Sequence, residues 1–425
     1  MKSYATMTKA ELQTEKEAVQ LQYDAAKALK LKLNMARGKP GKEQLDLVSD
    51  LLTVLNDPAD CIVDGIDARN YGELSGLPCA RTYWAELLGC KPSEVFVGGN
   101  ASLSLMYSTI AKAWSFGLKD SEQPWCRYET VKFLCPAPGY DRHFRITQSF
   151  GMELITIPMT AEGPDMDLVE EYIKDENVRG MWCVPKYSNP DGIIYSDAVI
   201  HRIANMKPAA RDFALMWDNA YCVHEFEGEF VPFEDILTLC REAGRPNMPY
   251  EFASTSKITF PGAGISVMAM SEENLAYMEK LLAVESISFD KVNQLRHVRY
   301  LRDKEGTLEL MKRHAEILGP KFKMVLTILD EEIAPLGIAE WAKPKGGYFV
   351  SVNAMAGTAK RTLQLCKEAG VVMTDAGATF PYGKDPQDSN IRVAPSLPPV
   401  KELRQAMEVF SLALRLAALE KLLAE

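Results

Sequence analysis

The stretch Glu251-Phe252-Ala253-Ser254-Thr255-Ser256-Lys257 ends an apolar, strand-like run in hydroxyl residues and then a lysine, just ahead of the glycine-rich Phe260-Pro261-Gly262-Ala263-Gly264. A lysine delivered at the end of a buried strand is costly to keep charged. Burial lowers its pKa, and the neutral amine is a nucleophile that can form a Schiff base. The flanking serines offer hydroxyls to phosphate oxygens. By itself the pattern is weak, because a lysine beside a loop is usually a solvated surface residue. Its weight depends on what lies upstream.

Three upstream stretches bear on it. Glu94-Val95-Phe96-Val97-Gly98-Gly99-Asn100-Ala101-Ser102 reads as a short strand, two glycines and a hydroxyl opening a helix, which is a ready anion site. Its glycine spacing fits neither a Walker loop nor a dinucleotide fingerprint, and a plain structural turn is an equal reading. Ser188-Asn189-Pro190-Asp191-Gly192 follows an apolar strand, where turn chemistry alone accounts for an asparagine. Met216-Trp217-Asp218-Asn219-Ala220-Tyr221 places a carboxylate after an apolar run, as a helix cap or as a buried charge that needs a cationic partner.

Taken together they fit one cofactor, pyridoxal 5′-phosphate (PLP). It needs a lysine for the imine and a carboxylate that keeps the pyridine nitrogen protonated, so that the ring is an electron sink. It also needs donors to its phenolate oxygen, an aromatic face and a phosphate cradle. Lys257, Asp218, Asn189 with Tyr221, Tyr140, and Asn100-Ala101-Ser102 with Ser254 supply these in turn.

The elements that must hold these groups alternate. Strands are expected at residues 131–135, 152–158, 180–185, 213–218, 250–254 and 265–270, with helices at 102–116, 167–174, 197–206 and 233–243. That pattern implies a largely parallel sheet covered on both faces, with ligands gathering at the carboxyl ends of the strands. A capping-box spacing, Thr8-Lys9-Ala10-Glu11, opens a helical arm that runs to about residue 33, before Arg37-Gly38-Lys39-Pro40-Gly41. Residues 45–55 read as another helix, and 271–336 as mostly helical. Gly346-Gly347-Tyr348-Phe349-Val350 reads as the start of a strand, followed by a helix to Gly370, a strand at 389–394 and a closing helix at 400–419. The expected organisation is an α/β fold: residues 1–45 as N-terminal arm and part of a small domain, 46–320 as a large PLP-binding domain, and 321–425 as a small α+β domain.

Composition narrows the class. The chain has 425 residues, 47% hydrophobic and 25% charged, as soluble globular proteins do. A net charge of −10 argues against a nucleic-acid surface. No apolar run approaches a membrane span, and the first residues lack the apolar core of a signal peptide. Nine scattered cysteines read as reduced thiols of a cytoplasmic protein; Cys222 and His224 have no second pair to make a zinc site, so no metal is expected.

The ordered set resembles the fold-type I PLP-dependent aminotransferases of class I/II, and within them the aspartate aminotransferase subgroup called Ic. The resemblance runs over residues 37–40, 44–47, 71–78, 98–102, 136–143, 189–192, 218–221, 254–257, 346–349 and 392–396. It implies that Lys257 carries the Schiff base and shuttles the proton, that Asp218 pairs with the pyridine nitrogen, and that Tyr221 and Asn189 bond the phenolic oxygen. It implies that Tyr140 stacks on the cofactor, and that Arg392, with Asn189 and Gly38, binds the substrate, Arg392 taking the α-carboxylate. Tyr71 matches a tyrosine that reaches the phosphate of a neighbouring subunit, implying a homodimer with shared sites. One departure stands out. Many relatives carry an arginine shortly after the lysine, whereas Pro261-Gly262-Ala263-Gly264-Ile265 has no cation. The residue selecting the substrate side chain stays open among Lys291, Arg296, His297, Arg37 and Lys39. The expected activity is transfer of an amino group from aspartate to 2-oxoglutarate. The alternatives are an aminotransferase for another amino acid such as alanine and a PLP-dependent β-eliminating lyase. A cofactor-binding regulator would need a DNA-binding domain, and this acidic chain offers only a short helical arm.

Overall fold

The computed structural model describes residues 2–424. At its centre is an eight-stranded sheet of β1 (Val95–Val97), β2 (Lys132–Ala137), β3 (Glu153–Thr160), β4 (Gly163–Pro164), β5 (Val178–Cys183), β6 (Ala214–Asp218), β7 (Pro249–Ser254) and β8 (Ser266–Ala269). Their order is β1-β8-β7-β6-β5-β2-β3-β4. The five strands from β7 to β3 run parallel, while β8 is antiparallel to both its neighbours and β4 to β3. Every residue of β5 and β6 is buried, so their sequences read as apolar runs rather than as an alternation. The exceptions are Arg179 in β5, ion-paired with buried Asp212, and Asp218 at the end of β6.

Alternate side chains of each strand serve different cores. Leu134, Met181, Leu215 and Trp217 pack on one face, and Phe133, Trp182, Ala214 and Met216 on the other. The chain order reverses between β2 and β5, the place where open α/β sheets leave a crevice at the strands' carboxyl ends.

A second body comes from both chain ends. Strands β9 (Ala339–Trp341), β10 (Val350–Ala354) and β11 (Asn390–Val393) form an antiparallel sheet in that order. Helix α1 (Lys9–Ala28) packs beside it with α6 (Ala359–Glu368) and α7 (Val400–Ala424). Tyr4, Leu12, Val19 and Tyr23 enter the same core as Phe410 and Leu414. The Tyr23 hydroxyl donates to Leu365 O at 2.8 Å, and Arg415 donates to Glu15 at 2.8 Å. The capping box forms, with Glu11 N on Thr8 Oγ1 at 3.3 Å and Thr8 N on Glu11 Oε2 at 2.6 Å. Helices α2 (Ser102–Phe116) and α3 (Asp141–Ser149) pack in one core of the large body and α4 (Lys291–Leu301) in its other core, while the long α5 (Lys304–Ile328) sends Leu310 and Met311 to the large body and Leu318 and Phe322 to the small one.

Several boundaries differ from the sequence reading. The arm helix ends at Ala28, not near 33: Lys30 turns to positive φ, and Leu33–Asn34 pairs in parallel with Val371–Val372. Residues 45–55 are not one helix but Lys42–Leu47 followed by a 3-10 turn, Ser49–Thr53. Its Gln44 is drawn inward, taking Gly41 N on Oε1 and donating to the Tyr348 hydroxyl at 2.9 Å. The strand expected from Gly346 begins only at Val350. Gly346 and Gly347 instead cross to the large body, where Gly347 N donates to His224 O at 2.9 Å. A Cβ on Gly346 would lie 2.5 Å from the Tyr187 ring and 2.6 Å from His224 O, which is why glycine stands there.

Candidate active site

Four parallel strands deliver polar groups to one end of the sheet. Tyr140 follows β2 and is the N-cap of α3; Asn189 follows β5, Asp218 closes β6, and Lys257 lies three residues after β7. Asp218 is buried. Its Oδ2 accepts from His143 Nε2 at 2.8 Å, and the His143 ring stacks on Trp182 with centroids 4.3 Å apart and planes 7° apart. Its Oδ1 is buried and has no partner. A buried carboxylate oxygen without a donor is costly, so a ligand carrying an N–H fits against it. Edge-on to His143 is the Tyr140 ring, with centroids 4.9 Å apart, and burial pushes the Tyr140 hydroxyl up to about 12.

Lys257 faces this carboxylate from the next strand. Its Nζ lies 4.7 Å from the centroid of the Tyr221 ring and 5.8 Å from that of Tyr348. Loss of water around the amine lowers its pKa, and the Asp218 charge opposes that shift. Tyr221 and Tyr348 are stacked, and His224 stands edge-on to both. Neither nitrogen of the buried His224 ring has a partner, and burial keeps it neutral. Tyr221, also buried, has its pKa raised well above the ordinary value by desolvation.

The phosphate-like end lies at the start of α2. Ala101 caps that helix without a side-chain hydrogen bond, so its first N–H groups are free for an anion. Ser254 Oγ bonds Ser256 Oγ at 3.0 Å, and Ser256 Oγ donates to Asn100 O at 3.4 Å, tying the turn after β7 to the turn after β1. A Cβ on Gly264 would lie 3.3 Å from Asn100 O, so the cation-free turn packs closely. Its carbonyls point away: Asn293 Nδ2 in α4 donates to Ala263 O at 3.0 Å and to Gly264 O at 2.8 Å.

Arg392 arrives from β11. Its Nη1 donates to Asn189 Oδ1 at 3.2 Å and to Asp141 Oδ1 at 3.4 Å, its Nη2 to Thr374 Oγ1 at 3.3 Å, and its buried Nε has no partner. The guanidinium carbon lies 4.7 Å from the centroid of the Phe349 ring, against which Gly38 is pressed. A planar donor fork with one donor spare is suited to a carboxylate.

The family model for the aspartate amino-transferases matches residues 7–425. The chain belongs to this family. An aspartate aminotransferase of Corynebacterium glutamicum is 45% identical over 428 residues, covering 99% of each chain. The crystal structure of an aspartate transaminase from the same organism superposes with a TM-score of 0.94 at 46% identity, over 96% of this chain and 97% of that one. An α-aminoadipate aminotransferase from Thermus thermophilus shares the fold at 23% identity, with a TM-score of 0.75 over 93% and 94% of the two chains. The protein is therefore an aminotransferase of the PLP-dependent class, with the expected fold.

Within this aminotransferase, Lys257, Asp218, Tyr221, Tyr140, Asn189, Arg392 and Gly38 gather at one cleft, and Asn100, Ala101, Ser102 and Ser254 line the adjoining turns. Two of the expected residues stand apart. Tyr71 is 79% exposed and its side chain shares no contact with the cleft. Arg296 donates to Asn293 behind the glycine turn and does not touch Arg392. Two residues were not singled out from the sequence. His143 lies one helical turn after Tyr140, a spacing that would have pointed to it once Tyr140 was recognised as an N-cap. Tyr348 carried no signal beyond its glycine neighbours.

Proposed function

We propose that this protein is an aspartate transaminase that holds PLP between Lys257 and Asp218 and passes an amino group from aspartate to 2-oxoglutarate. The observation that carries this reading is the pair of unequal oxygens on Asp218: one held by His143, the other buried and waiting for a donor, with a depressed lysine amine across from it. Bound there, PLP supplies an electrophilic carbonyl carbon and a ring that takes up an electron pair.

The chain's own groups do the rest. Asp218, steadied by His143 and Trp182, holds a proton on the ring nitrogen. Tyr221 and Asn189 donate to the phenolic oxygen, and Tyr140 covers the ring. The N-terminus of α2, with Ser254, grips the phosphate through hydrogen bonds, which suits a turn with no arginine. Lys257 Nζ, its pKa lowered by burial, takes the proton from the substrate's Cα. Arg392 forks the α-carboxylate, with Gly38 keeping the approach open. The first product leaves as a 2-oxo acid before the second oxo acid enters. Tyr71, projecting into solvent, serves the site of a second copy in a homodimer.

The test is an absorbance spectrum of the purified protein with amino acids added one at a time, before and after borohydride. Aspartate is expected to shift the cofactor band to the pyridoxamine form, and Lys257→Ala to lose the imine band and turnover together. Normal transamination by that variant would refute the assignment; accumulation of pyruvate and ammonia without the pyridoxamine band would favour the lyase.

A further inference from the structure

A short segment of the N-terminal connector is linked to Arg392 through two intermediaries, Thr374 and Phe349. Arg392 Nη2 donates to Thr374 Oγ1 at 3.3 Å, and Thr374 Oγ1 donates to Ala36 O at 2.6 Å. Two residues on, Gly38 approaches Phe349 so closely that a Cβ there would lie 2.6 Å from the ring's Cζ, and the Arg392 guanidinium lies over that same ring. Residues 36 and 38 are thus both fixed relative to the group that meets the substrate. Between them is Arg37. Its side chain is exposed and makes no hydrogen bond, ion pair or ring contact among the described residues.

The other candidate cations are differently placed. Lys291 is buried and spends its amine on Tyr71 O at 3.1 Å. Arg296 is bonded to Asn293. Both ring nitrogens of His297 are engaged, by Thr259 Oγ1 at 2.9 Å and Asn293 O at 2.8 Å. Lys39 is exposed, but it lies beyond a bend closed by its own N–H on Arg37 O, and its carbonyl is tied to Ser396 Oγ at 2.8 Å rather than to Thr374 or Phe349 beside Arg392.

We infer that Arg37 of the same chain binds the distal carboxylate of a dicarboxylic substrate whose α-carboxylate is held by Arg392. A dicarboxylic acid brings two like charges to the cleft, and Arg392 neutralises one. A second planar fork on a long stem, with its backbone anchored beside the first and no partner of its own, meets the other without breaking an existing bond. The assignment rests on the transaminase reading of the cleft and supplies the side-chain specificity that reading lacks.

The test compares aspartate with alanine, and succinate with butyrate as non-reacting inhibitors, on the full-length holoenzyme. Arg37→Ala is expected to lower kcat/KM for aspartate by about 50-fold, mostly through KM, and to weaken succinate similarly, the scale of a lost charge-assisted fork. Alanine turnover and butyrate inhibition should stay within about threefold, the size of an effect without a direct contact. Arg37→Lys should recover part of the loss. Equal effects on both substrates, unchanged aspartate kinetics, or a loss that follows Lys39→Ala instead would overturn the assignment. A wild-type protein that transaminates alanine but not aspartate would refute the substrate reading and the Arg37 assignment together. A wild type that prefers aspartate, with the preference intact in Arg37→Ala, would refute only the latter.

Discussion

In the proposed site Asp218 would hold a proton on a ring nitrogen, and its neighbours suit that task. His143 occupies one oxygen and is itself locked by its stack on Trp182. Replacing the carboxylate with the neutral Asp218→Asn should lower kcat by about 10²–10³-fold, as loss of a preorganised electrostatic partner does. His143→Ala leaves the charge in place and should cost only about tenfold, the worth of one hydrogen bond to a charged group. Stopped-flow kcat with aspartate measures both; equal losses would mean that His143 acts directly rather than through Asp218. At this scale much of the candidate site was legible. Lys257, Asp218, Asn189 and Tyr221 each follow an apolar strand, and a costly polar group at the end of such a run asks for a reason. Arg392 was legible only through family resemblance, because an arginine in a late strand looks like a surface residue until its partners, Asn189 and Thr374, are known. His143 was hidden for a similar reason: its meaning lies in Asp218, 75 residues away.

The strands set how the site responds to pH. Glu251 on β7 stands in register with Trp217 on β6, and Asn219, next to Asp218, donates from Nδ2 to Glu251 Oε1 at 2.9 Å. Burial pushes this carboxyl from its ordinary 4.5 up to about 8, with Asp235 adding to the rise. The folded chain keeps the proton that the unfolded chain has lost across that window, so the fold loses stability as pH rises from about 4.5 to about 8. Glu251→Gln accepts the same bond from Asn219 and has no proton to lose. Its Tm should match that of the wild type near pH 5 and exceed it near pH 8 by a few degrees, roughly what a kcal/mol or two gives in a chain of this size. A gap that does not widen with pH would show that Glu251 is ionised in the fold. Element types were largely readable, since buried parallel strands and amphipathic helices differ in period. Boundaries failed where distant contacts decided them. Leu33–Asn34 becomes a strand only because Val371–Val372 lies beside it, and Gly346 leaves the strand to cross to His224 and Tyr187.

In the whole molecule, the two chain ends share one core, so Gly38 from the connector and Arg392 from β11 enter the cleft from the same side. The side-chain type and position of Tyr71 point the other way, out of its own chain. Its ring is exposed while its carbonyl is held by Lys291 Nζ at 3.1 Å, so the backbone is fixed and the phenol is presented outward. An aromatic ring held so far into water by a rigid anchor suits a contact with another chain. If it completes the neighbour's phosphate site, two individually defective proteins must rescue each other. Lys257→Ala keeps a working Tyr71, and Tyr71→Ala keeps a working Lys257. In the hybrid dimer one site carries both lesions and the other carries neither. Co-expressed with different tags and purified through both, the hybrid should show about half the wild-type turnover per dimer, one intact site of two. Recovery no greater than that of Tyr71→Ala alone would mean that Tyr71 acts within its own chain or not at all, and the shared-site arrangement would fall even if the dimer itself were real.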